Sequence, residues 1–370
     1  MDEPRIENKY IDKLTVLRGF FAICVFLSHL KVPESISLKV SSFDLSFLFY
    51  PHGHMYVRLF FVLSGFLTSQ GFLKGKYSHD RDGIKAFYIH RIRRIVPLYF
   101  TISAILLLTV YRNLLTSIEG LAAILRIFTF TYDINYIPKF SGPWWSLSFE
   151  MQFYLLCPFF VMLIARRKSK LKKLLCGTLI LFTTFIFGVL LARYAPVIPD
   201  YTKHLIYYVI IFIYGILLNL IFQIIPKAQL SYRTANILFV SILCGLYVYI
   251  SHTLYHGAIE HKDEIYYRWV YPSVICLIGG VLIYLAQMHP AHAKSLGVFK
   301  SGKLSMAKML ESLGILSFGF YLWHSEVVEF FRPILGGYLP YQVIVLGVVT
   351  FGISLALSIA TYQAIEKQCV

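Results

Sequence analysis

The stretch RGFFAICVFLSH, residues 18–29, is the part of the sequence that decides the fold. It lies in an apolar run from Leu14 to Leu30 that is long enough for a membrane helix, yet it begins with an arginine and ends with a histidine. An ionisable side chain inside a membrane span costs roughly 3 kcal/mol or more unless it faces a cavity or a partner. Arg18 and His29 are therefore the first candidates for function.

The composition of the whole chain predicts many more such runs. Apolar residues make up 57% of the 370 residues, charged residues make up 15%, and the mean hydropathy is +0.65, whereas soluble domains average roughly 25% charged residues. The apolar residues recur in stretches of about 20 residues, the length that crosses about 30 Å of hydrocarbon. The sequence predicts one all-α, polytopic membrane domain over 1–370. About ten spans are predicted, at 14–31, 53–73, 95–112, 143–165, 174–194, 204–225, 235–252, 268–288, 310–333 and 341–364.

The basic residues predict the orientation of these spans. With the N-terminus inside, the cytoplasmic segments, such as 74–94 and 166–173, hold more than twice as many Lys and Arg residues as the outer segments. The positive-inside rule therefore places both termini in the cytoplasm. The net charge of +16 lies in short loops between the spans, where positive charge sets the topology or contacts anionic lipids and phosphates. No nucleic acid partner is expected. The six cysteines lack metal or redox spacing and are expected to pack in apolar runs.

Arg18 and His29 are eleven residues apart, which returns a helix to within about 20° of the same face, about 16 Å further along the axis. In the predicted topology Arg18 lies near the cytoplasmic end of the span and His29 near the outer end. The alternative is an arginine that snorkels to the interface and an unrelated interfacial histidine.

The motif GPWWSLSFEMQFYLLCPFF, residues 142–160, places Glu150 roughly 10 Å below the outer surface, at a depth comparable to that of His29. A carboxylate beside an imidazole orients the ring and stabilises the imidazolium. Glu150 has an alternative role in a structural salt bridge with Arg58 or another arginine. The two tryptophans of the motif are candidates for an interfacial aromatic belt.

A basic cluster lies in FYIHRIRRIVPLYF, residues 87–100, which contains Arg91, Arg93 and Arg94. We expect these arginines at the cytoplasmic edge of the third span, where Pro97 opens the helix. One expected role is to hold this end of the span on the cytoplasmic side, as the positive-inside rule describes. The other is to bind the phosphates of a cytosolic ligand, because guanidinium groups form paired hydrogen bonds with phosphate oxygens. The two roles are compatible.

Two further segments contain candidate residues. In 54–72, Ser64 and Gly65 predict close helix packing. His52 and His54 lie at the outer end of this span without an evident third ligand, so no metal is expected. In 316–331, His324 either lines the same cavity as His29 or bonds a backbone carbonyl.

Several motifs are absent from the sequence. There is no G-x-S-x-G, H-E-x-x-H, Walker loop or G-x-G-x-x-G, which argues against hydrolases, metalloproteases and ATP-driven enzymes. A transporter or flippase for a lipid-linked sugar or small molecule remains an alternative, because such proteins also place Arg, His and Glu around a midplane cavity.

Five motifs, in the same order, resemble the acyltransferase-3 family. They are Arg18-x10-His29, FFVLSGFL (60–67), RIRRIVPLYF (91–100), WWSLSFEMQFYL (144–155) and SFGFYLWH (317–324). The resemblance implies a membrane O-acyltransferase of about ten spans in the bacterial inner membrane. Such enzymes move an acyl group, most often acetyl, from cytosolic acyl-CoA to a hydroxyl of an extracytoplasmic or lipid-linked sugar. Typical acceptors are the O-antigen of lipopolysaccharide, capsule, peptidoglycan and exopolysaccharide.

The resemblance also assigns roles to residues. His29 is the catalytic residue, Arg18 is its essential companion, and Glu150 matches the acidic residue of the tryptophan motif. Many members carry an additional SGNH domain, which this sequence has no room for, so we expect direct acylation or a partner acyl-relay protein, and a homo-oligomer is compatible with either. A covalent route through His29 or Ser148 stays open.

Together these inferences predict acetyl-CoA as donor, no metal, and His29 as general base with Glu150. The donor-binding candidates are Arg18, Arg91, Arg93 and Arg94. The candidates for contacts with the substrate or the oxyanion are Arg58, Trp145, Tyr321 and His324.

Overall fold

A computed structural model describes residues 11–33, 36–41, 43–133, 139–194, 200–225, 228–260, 270–288, 305–337 and 339–369. This part of the chain is almost entirely helical. The strands in this part of the chain form one small antiparallel pair, β1 (Lys39–Val40) and β2 (Phe43–Asp44), in which Lys39 faces Asp44. The all-α prediction is confirmed.

The helices follow one another along the chain. They are α1 (Lys13–His29), α2 (Gly53–Leu73), α3 (Arg81–Thr109), α4 (Ile118–Phe128), α5 (Trp144–Ala165), α6 (Lys170–Tyr194), α7 (Asp200–Phe222), α8 (Tyr232–Glu260), α9 (Tyr271–Met288), α10 (Met306–Ile315), α11 (Ser317–Leu335), α12 (Pro340–Thr361) and α13 (Lys367–Cys369). Short 3-10 helices occur at Ser46–Phe49 and Arg112–Thr116, and a π-helical turn occurs at Tyr362–Glu366.

Within the described residues, seven helices are long and apolar enough to cross a membrane: α2, α3, α5, α6, α8, α9 and α12. In α7, the stretch Ile206–Phe222 is apolar but shorter, and α1 has 17 residues. The apolar segment 121–132, which is too short to cross a membrane, falls in the eleven-residue α4 and the turn that follows it. The polytopic membrane prediction is confirmed, whereas the count of ten spans and the cytoplasmic termini stay predictions.

The prediction that Pro97 opens the helix of the third span is wrong. Helix α3 begins at Arg81, where the Asp80 side chain accepts a hydrogen bond from the Gly83 backbone N–H and so caps the helix. The basic cluster therefore lies inside this helix. Pro97 also lies inside it, rather than opening it. Proline is tolerated within membrane helices because neighbouring groups satisfy the freed backbone positions.

The predicted span 310–333 is also wrong as a single helix. It is divided at Leu316 into α10 and α11. The Ser317 hydroxyl, at the start of α11, donates to the Gly314 carbonyl at 2.8 Å and so satisfies an oxygen at the end of α10. At this break the Ser317 hydroxyl also accepts a hydrogen bond from the Arg18 guanidinium.

The chain forms two compact units. The first comprises Met1–Tyr56, Lys227–Tyr321 and Phe331–Ser358, and the second comprises Val57–Pro226, Leu322–Phe330 and Ile359–Val370. Each unit is therefore assembled from segments that are distant in the sequence.

In the first unit, α1 packs directly against α10. A Cβ atom on Gly19 would lie 2.0 Å from the Leu310 carbonyl oxygen, and one on Gly314 would lie 1.9 Å from the Thr15 carbonyl oxygen. The two backbones can approach this closely because both residues lack a side chain. Further along α1, the Phe26 ring packs against those of Phe320 and Phe351, with centroids 5.8 and 5.4 Å away.

We expect Gly19→Ala to destabilise the protein. The added methyl group must push α10 away from α1, and overpacking of this kind costs about 1–3 kcal/mol. The matched control is Gly245→Ala in α8, where nothing lies within 4 Å of the added atom. Thermal unfolding in detergent measures the difference. Equal unfolding temperatures for the two variants would contradict the close packing of α1 on α10.

In the second unit, α2 packs against α7 through Gly65. A Cβ atom there would lie 2.1 Å from the Phe212 carbonyl oxygen. Beside this contact, the Phe212 ring stacks between Phe61 and Phe153, with centroids 4.5 and 4.1 Å away. The prediction that the Ser64–Gly65 pair allows close helix packing is confirmed for Gly65.

Candidate functional site

His29 is the last residue of α1, and its ring is oriented by its own helix. The ring Nδ1 lies 2.9 Å from the carbonyl oxygen of Val25, one turn earlier. A carbonyl oxygen can only accept a hydrogen bond, so in this arrangement Nδ1 carries the proton. In the neutral ring the lone pair is therefore on Nε2. The neighbouring Ser28 hydroxyl donates to the same oxygen at 2.6 Å.

The backbone around His29 is held by Arg332 of α11, which the sequence analysis did not identify. Its guanidinium donates through Nη2 to the His29 carbonyl and through Nη1 to the Leu30 carbonyl, the latter at 2.9 Å. These are carbonyl groups at the end of a helix, where no intrahelical N–H remains to pair with them. One signal in the sequence could have pointed to this residue, namely an arginine near the end of the predicted span 310–333.

Arg18 lies on the same uninterrupted helix as His29, as predicted. The arginine is half-buried, and its Nη2 donates to the Ser317 hydroxyl at 3.0 Å. This bond joins α1 to the first residue of α11, which continues to the half-buried Tyr321. Arg18 therefore makes a bracing contact within the first unit.

Glu150 lies in a group of polar side chains in the second unit. Its Oε1 accepts a hydrogen bond from the Ser64 hydroxyl at 2.9 Å and a short one from the Tyr154 hydroxyl. The two hydroxyl oxygens are themselves 2.6 Å apart. Glu150 and Tyr154 are four residues apart on α5, so they share one face of the helix.

Arg91 continues this group along α3. Its guanidinium carbon lies 4.7 Å from the centroid of the Tyr154 ring, within the range of a cation–π contact. Its Nη2 donates to the Thr68 hydroxyl at 3.3 Å. The Arg91 Nε–H is buried and has no hydrogen-bond partner among the residues that the structure describes. Arg93 is exposed and Arg94 is half-buried.

Two of the candidates for substrate contact meet around Tyr208 of α7. The Arg58 guanidinium lies beside the Tyr208 hydroxyl, and its carbon is 5.1 Å from the Tyr207 ring centroid. The Trp145 ring lies 5.3 Å from that of Tyr208. Trp145 is 5% exposed and Trp144 is fully buried, donating its indole N–H to Ser103 at 2.7 Å, so neither forms an outer belt.

His324 is 1% exposed and lies on the part of α11 that belongs to the second unit. Two residues later, the Glu326 carboxylate accepts from the Tyr111 hydroxyl at 3.1 and 3.0 Å. Burial, and then the charge of Glu326, raise the pKa of Tyr111. The sequence analysis missed this pair, which the 215-residue separation hides.

The pairing of His29 with Glu150, expected from the sequence, joins residues of different units and stays a prediction.

Among the histidines considered for metal binding, burial lowers the pKa of His52. Over the described ranges, no three or more His, Cys, Asp or Glu side chains come together as a metal site would require. The cysteines are free thiols, and those of Cys24, Cys157 and Cys276 are buried.

Comparison with known proteins gives one family match. A family model described as an acyltransferase domain, that of the acyltransferase-3 family, matches residues 9–362. The chain is 25% identical to peptidoglycan O-acetyltransferase OatA of Listeria monocytogenes, over 90% of this chain and 51% of the relative. It is 23% identical to putative acetyltransferase ORF330 of Acidianus two-tailed virus, over 88% of this chain and 85% of the relative.

A third relative is the putative peptidoglycan O-acetyltransferase YrhL of Bacillus subtilis, which is 25% identical over 97% of this chain and 55% of the relative. The chain thus spans about half the length of the two peptidoglycan O-acetyltransferase relatives. No solved structure matches the chain.

Proposed function

Because the chain belongs to the acyltransferase-3 family, we propose that it is a membrane O-acetyltransferase acting from acetyl-CoA on a carbohydrate hydroxyl. The observation that carries this proposal is the hydrogen bond from His29 Nδ1 to the Val25 carbonyl. It leaves Nε2 as the basic nitrogen on a ring whose rotation is fixed. A general base needs both properties.

The chemistry then follows from one base. His29 Nε2 removes the proton from the acceptor hydroxyl as the hydroxyl oxygen attacks the thioester carbonyl carbon. The tetrahedral intermediate collapses as its C–S bond breaks, which leaves an acetyl ester on the sugar. The imidazolium returns its proton to the departing thiolate, and free CoA leaves. Arg58, Tyr321 and His324 are candidates to stabilise the oxyanion or orient the sugar, with Trp145 as a stacking surface.

Donor binding is proposed for the basic residues. The buried Arg91 Nε–H lacks an acceptor within the described part of the chain, and an anionic oxygen is the partner that such a donor favours. Lys76, Arg91 and Arg94 all lie near His90, which concentrates positive charge on this part of α3. We assign Arg91 and Arg94 to the CoA phosphates, and the exposed Arg93 to the edge of the same site. Arg18, about 16 Å along α1 from His29, suits the pantetheine arm.

Glu150 is proposed to organise this donor site. Its bonds to Ser64 and Tyr154 fix the tyrosine ring on which the Arg91 guanidinium rests. The acceptor class is proposed from the relatives, two of which are named as peptidoglycan O-acetyltransferases. Peptidoglycan is therefore the first acceptor to test, before capsule, exopolysaccharide or lipopolysaccharide. The membrane is proposed to be the bacterial inner membrane.

The test uses the full chain in lipid nanodiscs with acetyl-CoA. We expect free CoA thiol to appear only when a carbohydrate acceptor, such as peptidoglycan fragments, is added. Proteoliposomes supply the second arm. Movement of a sugar across the membrane without release of CoA would contradict the proposal and favour a transporter.

Tyr154→Phe tests the role of the Glu150 group. The variant removes a hydrogen bond to a carboxylate, worth about 1.5–3 kcal/mol, and leaves the ring under Arg91 in place. We expect CoA release to fall by about tenfold or more. The matched control is Tyr88→Phe, whose hydroxyl donates to the Leu155 carbonyl and is exposed. Wild-type rates in Tyr154→Phe would rule out a role for this hydroxyl.

A further inference from the structure

We propose that Arg332 is a positioning residue, which holds the last turn of α1 so that His29 presents Nε2 to the reacting hydroxyl. The inference rests on the proposed function, because it takes His29 as the base. Its basis is the pair of hydrogen bonds from one guanidinium to two consecutive carbonyls, those of His29 and Leu30.

The chemistry of the side chain fits this task. A guanidinium is planar and carries five N–H donors in a fixed fork, so it can hold two neighbouring oxygens in one orientation. A lysine ammonium is a point charge on a flexible stem and cannot impose the same plane. A positive charge at a helix C-terminus also meets the negative end of the helix dipole.

The fold keeps Arg332 in place. The residue lies in the last turn of α11, and its own carbonyl accepts from the Gly336 N–H at 2.8 Å. Gly336 has no side chain, and a Cβ atom there would lie 3.2 Å from Arg332 Cγ. The absence of this atom leaves room for the arginine stem beside its helix.

The end of α1 is fixed on other sides as well. Gly53, at the start of α2, is packed so closely that a Cβ atom on it would lie 2.3 Å from the Ser28 hydroxyl oxygen. The Leu30 side chain lies against Gly347 of α12, where an added Cβ atom would be 3.2 Å from it. Arg332 is the cation that holds the carbonyls of this turn. Without it, the turn frays and the bond from His29 Nδ1 to Val25 loses its fixed geometry.

The effect on catalysis is expected in turnover rather than in donor binding. A displacement of about 1 Å at a reacting group lowers rates by about a hundredfold. We expect Arg332→Gln to lower kcat for CoA release by about that factor, with KM for acetyl-CoA within about twofold of wild type. Arg332→Lys keeps the charge without the fork and should retain an intermediate kcat.

Two further measurements separate positioning from general stability. Arg332→Ala should regain part of its kcat when guanidinium ions are added to the nanodisc assay. The matched control is Arg233→Gln in α8, an exposed arginine of the same unit, which should behave as wild type.

The inference fails if Arg332→Gln turns over at the wild-type rate while His29→Ala is inactive, and in that case the proposed function stands. It also fails if the Arg332 variants lose kcat only in proportion to lost thermal stability, with no recovery in guanidinium and no advantage of lysine over glutamine. If the wild-type protein releases no CoA with any carbohydrate acceptor, the proposed function fails and this inference falls with it.

Discussion

His29→Ala is expected to abolish acetyl transfer while expression and membrane insertion stay normal. The alanine cannot take a proton from the acceptor hydroxyl, and general base catalysis contributes about a hundredfold to ten-thousandfold. The substitution removes the hydrogen bond from Nδ1 to the Val25 carbonyl of the same helix, whereas the backbone carbonyls that accept from Arg332 are retained. The measurement is acceptor-dependent CoA release at saturating acetyl-CoA, beside the amount of protein recovered from membranes.

The control for this variant is His54→Ala, which removes an exposed histidine of the same unit. We expect wild-type turnover from the control. Full activity in His29→Ala would contradict the assignment of the base, and loss of the protein from the membrane would show that His29 has a structural role instead.

The second large effect is expected from Arg91→Ala combined with Arg94→Ala. Charge-assisted hydrogen bonds contribute about 1.5–3 kcal/mol each, so the pair of substitutions should raise KM for acetyl-CoA by at least tenfold, or about 1.4 kcal/mol. The value of kcat should change much less, because neither guanidinium is assigned to the reacting atoms. Initial rates over a range of acetyl-CoA concentrations measure both constants.

Lys85→Ala is the matched control, because Lys85 is an exposed cation on the same helix. Its KM should equal that of wild type. If the double variant changes only membrane insertion or orientation, with KM unaltered in the inserted fraction, then the arginines serve as positive-inside anchors and the proposed donor site is wrong.

The helices themselves could be predicted from the sequence because hydropathy and length decide membrane insertion almost locally. The start of α3 could not, because the charged segment 81–94 resembles a loop although Asp80 caps it as a helix. The break at Leu316 is similarly hidden, since α10 and α11 together read as one span. In each case a local hydrogen bond overrides the average polarity.

Parts of the candidate site follow from spacing along a single helix. The four-residue separations of Val25 from His29 and of Glu150 from Tyr154 are sufficient to predict that each pair shares a face. Contacts between helices are not predictable in this way. Arg332 meets His29 across 303 residues of sequence, and Ser64 meets Glu150 across 86. Such pairs depend on which helices pack together. The periodicity of a single sequence shows which residues share a helix face, but it does not show which faces meet.

The most direct test of the central claim follows the acetyl group itself. The protein in nanodiscs is given acetyl-CoA with an isotopically labelled acetyl group and peptidoglycan fragments, and the sugars are analysed by mass spectrometry. The account predicts a labelled acetyl ester on a sugar hydroxyl, matched by an equal amount of free CoA, and neither product with His29→Ala. Label that stays on CoA with every carbohydrate acceptor, or equal transfer by His29→Ala, would contradict it.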